Sequence, residues 1–386
     1  MPLNTTLQCA TGEYSLFRYP KNQHDAALQA WDSADELVIE YVANTYPAEK
    51  YITILNDQFG AIATALNQFN RVSVTDSRVS ELATIQNGAE NKIVDPIFCN
   101  SLEPIPSRDV VILKLTKSVA YLQDQLQLLA QNNKAVEIVA CGKTTQVTSK
   151  IMSIFEKYCD NVKTSLAKKK SRLIFGTLKS NGTSEPEISP VEDRLNYIEW
   201  PEQGVQIGAY ANVFSHDGLD IGGRFLAENL PTFTSDQKVV DLGCGNGLLG
   251  LAVLKQTTQS ETPISLRFVD ESYMAVESAK HNIAQTFPDE FSRCDFIQDD
   301  CLTKQKAECV DVILCNPPFH QQNTLTEHIA KQMFRQSLLA LKPGASLYVV
   351  ANNHLPYQSY LKKMFGGFKV HAQNKKFSIY HCIKRA

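Results

Sequence analysis

The stretch Val240-Asp241-Leu242-Gly243-Cys244-Gly245-Asn246-Gly247-Leu248-Leu249-Gly250 constrains the fold more than any other. A β-branched run ends in an acid, glycines crowd the turn, and an apolar helical pattern follows at once. Glycine permits positive φ and lets a ligand lie directly on the backbone. The following helix offers free N–H groups and the positive end of its dipole to an anionic group. Gly245-Asn246-Gly247-Leu248-Leu249-Gly250 also satisfies G-x-G-x-x-G, the dinucleotide fingerprint. Asp241 stands where a carboxylate could accept from a cofactor ammonium or fix the loop. Asp270 ends the next strand, where an acid commonly holds a ribose diol. On these residues alone, S-adenosyl-L-methionine and NAD fit equally.

Around this loop the second half alternates strands and helices. Strands are expected at Lys238–Asp241, Leu266–Asp270, Val310–Cys315, Ser346–Ala351 and Phe377–Ile383. Helices are expected from Leu248, from Tyr273 to Asn282, and from Thr326 to Leu341, the last closed by Lys342-Pro343-Gly344. Alternation of this kind implies a mostly parallel sheet covered on both faces, an α/β Rossmann-like, doubly wound architecture.

The first half repeats the order in worn form. Tyr51–Leu55, Val72–Thr75 and Val110–Leu113 read as strands, with helices from Ala61, after Asp76 and from Val119. We read this as an internal duplication. Residues 176–204, rich in Gly, Ser, Pro, Asn and Glu, have linker composition. The expected division is a first domain over 1–178, a linker over 179–204 and a second domain over 205–386, with Val205-Gln206-Ile207 starting its first strand.

A second segment narrows the chemistry. Val312-Ile313-Leu314-Cys315-Asn316-Pro317-Pro318-Phe319 follows a buried strand, so it lies at the carboxyl edge of the sheet, where this fold binds ligands. Two prolines stiffen the loop and remove two backbone donors. The carbonyls of Asn316 and Pro317 are then exposed acceptors. An amino group on a base has two N–H donors; the Asn316 side-chain oxygen can take one and the Pro317 carbonyl the other. Phe319 offers a flat face for stacking, worth roughly 1–3 kcal/mol. Methyl transfer to such an amine needs positioning and electrostatics more than a strong base. An NAD oxidoreductase has no use for this loop.

Composition sets limits. The chain has 386 residues, 43 % hydrophobic and 20 % charged, which suits two soluble domains. The net charge of −3 means that nucleic acid can be gripped only by local patches, of which Lys168-Lys169-Lys170-Ser171-Arg172 is the densest. Lys362-Lys363, Lys375-Lys376 and Lys384-Arg385 are others. No apolar run approaches the roughly 20 residues of a bilayer span, and Met1-Pro2-Leu3-Asn4-Thr5-Thr6 lacks a signal-peptide pattern, so a cytoplasmic location is expected. The ten cysteines fit no zinc spacing and are expected to be free thiols, with no metal.

Taken together, these motifs resemble the bacterial ribosomal RNA guanine-N2 methyltransferases, above all those that act on 23S rRNA. The resemblance covers essentially the whole chain. It includes Asn212-Val213-Phe214-Ser215, Gly218-Leu219-Asp220-Ile221-Gly222, Asp241 to Gly247, Val269-Asp270-Glu271-Ser272 and Asn316 to Gln322. In the first half it includes Leu28-Gln29-Ala30-Trp31, Leu55-Asn56-Asp57 and Ser80-Glu81-Leu82-Ala83-Thr84. It implies two tandem methyltransferase-like domains, with only the second active and the first free to bind RNA. By position, the first half has Ile54 for Asp241, Asn56 and Gln58 for Gly243 and Gly245, and Lys114-Leu115-Thr116 for Asn316-Pro317-Pro318. The resemblance makes S-adenosyl-L-methionine the cofactor, with Gly243, Gly245, Asn246 and Gly247 beneath it and the Phe214–Gly222 loop closing over it. It gives Asp270 the ribose hydroxyls and Asp300 the adenine amine, with Asp299 as a substitute, while His320 either touches substrate or shapes its loop. Other enzymes with the Asn-Pro-Pro loop remain alternatives: the small-subunit 16S rRNA guanine-N2 enzymes, and those acting on adenine N6 or protein glutamine. The last two often carry Tyr where this chain has Phe319. A non-catalytic RNA-binding scaffold would suit the first half but not the second.

Overall fold

The computed structural model describes residues 5–21, 29–132, 134–180, 191–318 and 324–385. The chain divides into two compact units, Met1–Arg194 and Leu195–Ala386.

The first unit opens with an antiparallel hairpin, β1 (Thr6–Cys9) and β2 (Gly12–Ser15), followed by helix α1 (Ser33–Thr45). Its sheet contains β3 (Tyr51–Leu55), β4 (Asn70–Thr75), β5 (Ile97–Asn100), β6 (Val110–Lys114), β7 (Glu137–Lys143), β8 (Cys159–Thr164) and β9 (Ser171–Leu178). Helices α2 (Ala61–Ala65), α3 (Arg78–Glu90), α4 (Val119–Gln131) and α5 (Ser149–Tyr158) connect them. The second unit repeats the plan. A hairpin, β10 (Asn196–Trp200) and β11 (Val205–Ala209), precedes α6 (Ile221–Ala227). The sheet contains β12 (Lys238–Leu242), β13 (Ser265–Asp270), β14 (Cys294–Gln298), β15 (Val310–Cys315), β16 (Leu341–Asn352), β17 (Lys369–Gln373) and β18 (Phe377–Ile383). Its connecting helices are α7 (Leu248–Gln259), α8 (Tyr273–Thr286), α9 (Thr324–Ala340) and α10 (Tyr357–Phe365).

The strand orders are β5-β4-β3-β6-β7-β9-β8 and β14-β13-β12-β15-β16-β18-β17, the same order twice. In each sheet the first five strands run parallel and the last two pair antiparallel. The central strands are apolar runs because helices cover both faces, which a parallel sheet requires. In the second unit Val239, Leu314 and Val350 join the core on one face, and Val240, Ile313 and Val349 that on the other. Each unit is a doubly wound, Rossmann-like α/β fold.

Three local features differ from the pattern read in the sequence. Residues 196–200, of linker composition, form β10, whose only apolar anchor is the buried Trp200. Lys342-Pro343-Gly344 does not close a helix into a loop; α9 ends at Ala340 and β16 begins at Leu341. The pairing with β15 slips between Val310 and Val312, which absorbs the proline and the left-handed Gly344 at φ 81°. The short edge strand β17 is mostly exposed, and only Val370 and Ala372 alternate with polar residues, too brief a pattern to mark a strand. All ten cysteines are free thiols, and among the described residues no helix is long and apolar enough to cross a membrane.

Candidate active site

The glycine loop leaves the centre of the second sheet, where β12 lies between β13 and β15. Gly243 and Gly247 take φ of 75° and 83°, the left-handed region that glycine enters without strain. A Cβ on Gly245 would meet no atom within 4 Å, so the backbone there is bare to open space. Gly250 has another task. A Cβ there would lie 2.0 Å from the Phe268 ring, so this glycine lets α7 pack against β13.

Asp241 is fully buried. One carboxylate oxygen accepts from Gly250 N at 3.1 Å, whereas Oδ1 is buried with no partner. Burial pushes its pKa up to about 7; the Gly250 bond opposes the shift and the Asp270 charge adds to it. Asp270 braces the loop, accepting from Gly245 N at 3.0 Å and from Ser272 N at 3.1 Å. Asn246 is held from behind, since its carbonyl accepts from Asn282 Nδ2 at 2.8 Å. Asn282 also clamps β11 through Gly208. It escaped sequence reasoning because a polar residue inside a helical pattern looks like solvent-facing surface.

Asp300 follows β14. Burial raises its pKa, and its Oδ2 accepts from Gln332 Nε2 at 2.9 Å. Both Asp299 oxygens are taken by the turn, through Thr303 Oγ1 and Lys304 N. Asp300 is also hydrogen-bonded by Cys301, so both acids are held by their neighbours.

Asn316 follows β15, beside the glycine loop: its carbonyl would lie 3.8 Å from a Cβ on Gly243. Its Nδ2 donates to Asp220 Oδ2 at 2.6 Å, while its Oδ1 is buried without a partner. The Pro318 carbonyl is taken by the Tyr357 hydroxyl at 3.2 Å. Phe319, His320, Gln321 and Gln322 lie outside the described residues. Phe214 is 59 % exposed, whereas Gly222 is buried in α6. A recess of about 260 Å³, lined in part by Asp220, Asn352, Lys376 and Phe377, opens beside Asp220.

The strand registers align the two units residue by residue. Leu55 pairs with Val74 and Leu113, as Leu242 pairs with Val269 and Cys315. Ile54 then stands for Asp241, Asn56 for Gly243, Gln58 for Gly245, Thr75 for Asp270, Leu102 for Asp300 and Lys114 for Asn316. The turn keeps its shape: Asn56 has φ 66° and Gly60 φ 74°. Its surface is filled, because Asn56 Nδ2 donates to the Lys114 carbonyl and to Gln125 Oε1, both at 3.0 Å. Lys114 makes a buried ion pair with Asp35, at 2.6 Å. Arg194 is likewise buried, paired with Asp124 at 2.8 Å and donating to the Ser101 carbonyl at 3.0 Å, one residue before Leu102. The groups that would meet a cofactor are replaced by side chains that satisfy one another.

The basic run is less free than its sequence suggests. Lys168 pairs with Glu40 at 2.5 Å and Lys169 with Glu36 at 2.6 Å. These pairs are exposed, where solvent screens them, so they leave the lysines able to exchange partners.

Comparison with known proteins adds the following. Residues 4–180 match the family model described as RLMG N-terminal domain, and residues 204–381 match Methyltransferase small domain. Ribosomal RNA large subunit methyltransferase G of Aeromonas salmonicida is 42 % identical, over 99 % of this chain and 100 % of the relative. The protein of that name from Pseudoalteromonas translucida is 39 % identical, over 98 % of each chain. Among solved structures, the T. thermophilus 16S rRNA N2 G1207 methyltransferase (RsmC), in complex with AdoMet and guanosine, superposes with a TM-score of 0.76. It covers 99 % of this chain and 98 % of its own, at 17 % identity, a likeness of fold.

Proposed function

This chain belongs to the ribosomal RNA large subunit methyltransferase G family, and from that premise we propose that it methylates the exocyclic N2 amine of a guanine in 23S rRNA with S-adenosyl-L-methionine. The second unit carries the reaction and the first holds no cofactor.

The observation that supports this most strongly is the pair of buried, unpartnered oxygens, Asp241 Oδ1 and Asn316 Oδ1, one at each motif. A buried polar atom without a partner costs about 1–3 kcal/mol, and both atoms belong to residues that a bound cofactor and a substrate amine would satisfy. The residues therefore fit S-adenosyl-L-methionine. Asp241 would meet its ammonium, Asp270 its ribose hydroxyls and Asp300 its adenine amine. The bare backbone at Gly245 leaves room for it, beside Gly243, Asn246 and Gly247, and the Phe214–Gly222 loop would cover it. Bound S-adenosyl-L-methionine supplies a sulfonium-activated methyl group.

The chain's own part is to hold the amine. Asn316 Oδ1 accepts one N–H of the guanine amine and the Pro317 carbonyl the other. Those two bonds turn the nitrogen lone pair out of the base plane and fix its direction, so geometry and electrostatics replace a strong base. Forming the N–C bond leaves one proton too many on nitrogen, and water removes it. Phe319 stacks on the base. Lys376, which lines the recess beside Asp220, would meet the RNA backbone next to the target.

The test is methylation of purified 23S and 16S rRNA with isotopically labelled S-adenosyl-L-methionine, followed by nucleoside analysis. Label in N2-methylguanosine from 23S rRNA is expected. Label in N6-methyladenosine, or only in 16S rRNA, overturns the proposal.

A further inference from the structure

We propose that Asp220 is a positioning residue for methyl transfer, holding the Asn316 side chain so that its carbonyl oxygen, and not its amino group, faces the substrate. The inference rests on the guanine-N2 activity proposed above.

Asp220 is the N-cap of α6. One oxygen, Oδ2, accepts from Gly223 N at 2.5 Å and from Asn316 Nδ2 at 2.6 Å. An ionised carboxylate can only accept. The group that Asn316 turns toward it must therefore be the amino group, and Oδ1 is left on the other side. That oxygen is the one buried without a partner. A half-turn of the amide would put two donors, Asn316 Nδ2 and the guanine N–H, against each other and abolish the acceptor the reaction needs. A charge-assisted bond to one end of an amide also draws electron density toward the other end, which strengthens Oδ1 as an acceptor.

Two further observations separate this role from simple helix capping. A Cβ on Gly223 would lie 2.9 Å from Asp220 Oδ2 and 3.4 Å from Asn316 Nδ2, so the absence of a side chain at 223 keeps this contact open. The first unit shows the same geometry with its chemistry replaced. Its equivalent helix, α1, is N-capped by Asp32, which lies 3.8 Å from Lys114, the residue at the place of Asn316. At the place of Gly223 stands Asp35, whose carboxylate grips Lys114 at 2.6 Å. An acid at the helix N-cap facing the strand end thus occurs in both units. Only in the unit with the glycine loop does it hold an amide with a free oxygen.

Three variants test the proposal in the full-length protein with 23S rRNA. Asp220→Ser keeps a capping oxygen for Gly223 but is too short to hold Asn316 as well. Asp220→Asn can present one oxygen to both donors without the charge. Asn316→Ala is the reference. Asp220→Ser should lower kcat about 10- to 100-fold, as losing a hydrogen bond to a charged group does. Its KM for RNA and its calorimetric Kd for S-adenosyl-L-methionine should stay within about threefold, and its thermal midpoint should match that of Asp220→Asn. Asp220→Asn should recover most of the lost kcat. Asp220→Ser combined with Asn316→Ala should be no slower than Asn316→Ala alone, because both act through one group.

A kcat for Asp220→Ser within about twofold of the parent overturns the assignment. So does a loss that follows a lowered midpoint or weakened cofactor binding, and so does an additive loss in the double variant. The parent protein's product is identified first: if it is not N2-methylguanosine, the proposed activity itself fails, whereas the correct product with an unimpaired Asp220→Ser sinks only the role of Asp220.

Discussion

Asp241 should make cofactor binding depend on pH in a way that can be worked out in advance. Its carboxyl is buried, keeps a single bond from Gly250 N at 3.1 Å and has a pKa raised to about 7, by burial first and by Asp270 in addition. In the free protein it is therefore protonated through the acid range, whereas a cofactor ammonium is held by the carboxylate. The competent fraction is one half near pH 7 and falls about tenfold for each unit below. Apparent affinity should then weaken roughly 15-fold between about pH 7.0 and pH 5.5. Stability runs the other way. With the folded pKa raised from 3.8 to about 7, protonation favours the fold. That contribution is complete below about pH 4, amounts to about 4 kcal/mol, and is lost as the pH rises through about 7. Asp241→Asn keeps an acceptor for Gly250 and removes the titration. Calorimetric titration with S-adenosyl-L-methionine and thermal unfolding of the free protein, both from about pH 5.5 to 7.5, compare the two proteins. Parent affinity should climb toward a plateau while the variant stays weak and flat. The free variant should gain stability relative to the parent as the pH rises. Asp57, a second buried carboxyl with its pKa raised to about 6, is common to both proteins and cancels. A parent affinity that does not change with pH, or the same slope in Asp241→Asn, refutes the account.

Asn316→Ala should leave cofactor affinity within about threefold and lower turnover about 100-fold, as loss of a group that acts on the developing charge does; a turnover within twofold on single-turnover RNA methylation removes the amine-acceptor role. Calorimetry should return one S-adenosyl-L-methionine per chain, because Lys114, Asn56 and Arg194 are packed where the first unit would bind it; two equivalent sites would contradict that. Replacing Lys168, Lys169 and Lys170 by Ala should weaken RNA binding and shallow its logarithmic salt dependence by about 2–3. An unchanged slope in filter binding would mean that the run serves Glu36 and Glu40 and not phosphate.

Much of the fold was legible because the strands that carry the site are short, apolar and β-branched, and each ends in a residue that packing does not call for. Tyr51–Leu55 and Val310–Cys315 read from sequence with the bounds they have in the structure. Asp241, Asp270 and Asn316 stand out for the same reason, as polar residues at the ends of buried strands. What escaped lies in contacts between distant segments. Asp220 precedes Ile221-Gly222-Gly223, and paired glycines argue against a helix start, so its capping role was hidden. Only the fold brings it to Asn316, 96 residues on. The pairing of Lys114 with Asp35 spans 79 residues and that of Arg194 with Asp124 spans 70. The sequence could tell that the first unit lacks a cofactor loop, but not that side chains had closed the space.

The most direct test of the central claim is mass mapping of 23S rRNA from cells that lack this protein, complemented with the parent chain or with Asn316→Ala. One N2-methylguanine should be absent without the protein, return with the parent chain, and stay at or near the background level with Asn316→Ala at equal expression. A modification map unchanged by the deletion, or full restoration by Asn316→Ala, would contradict the account.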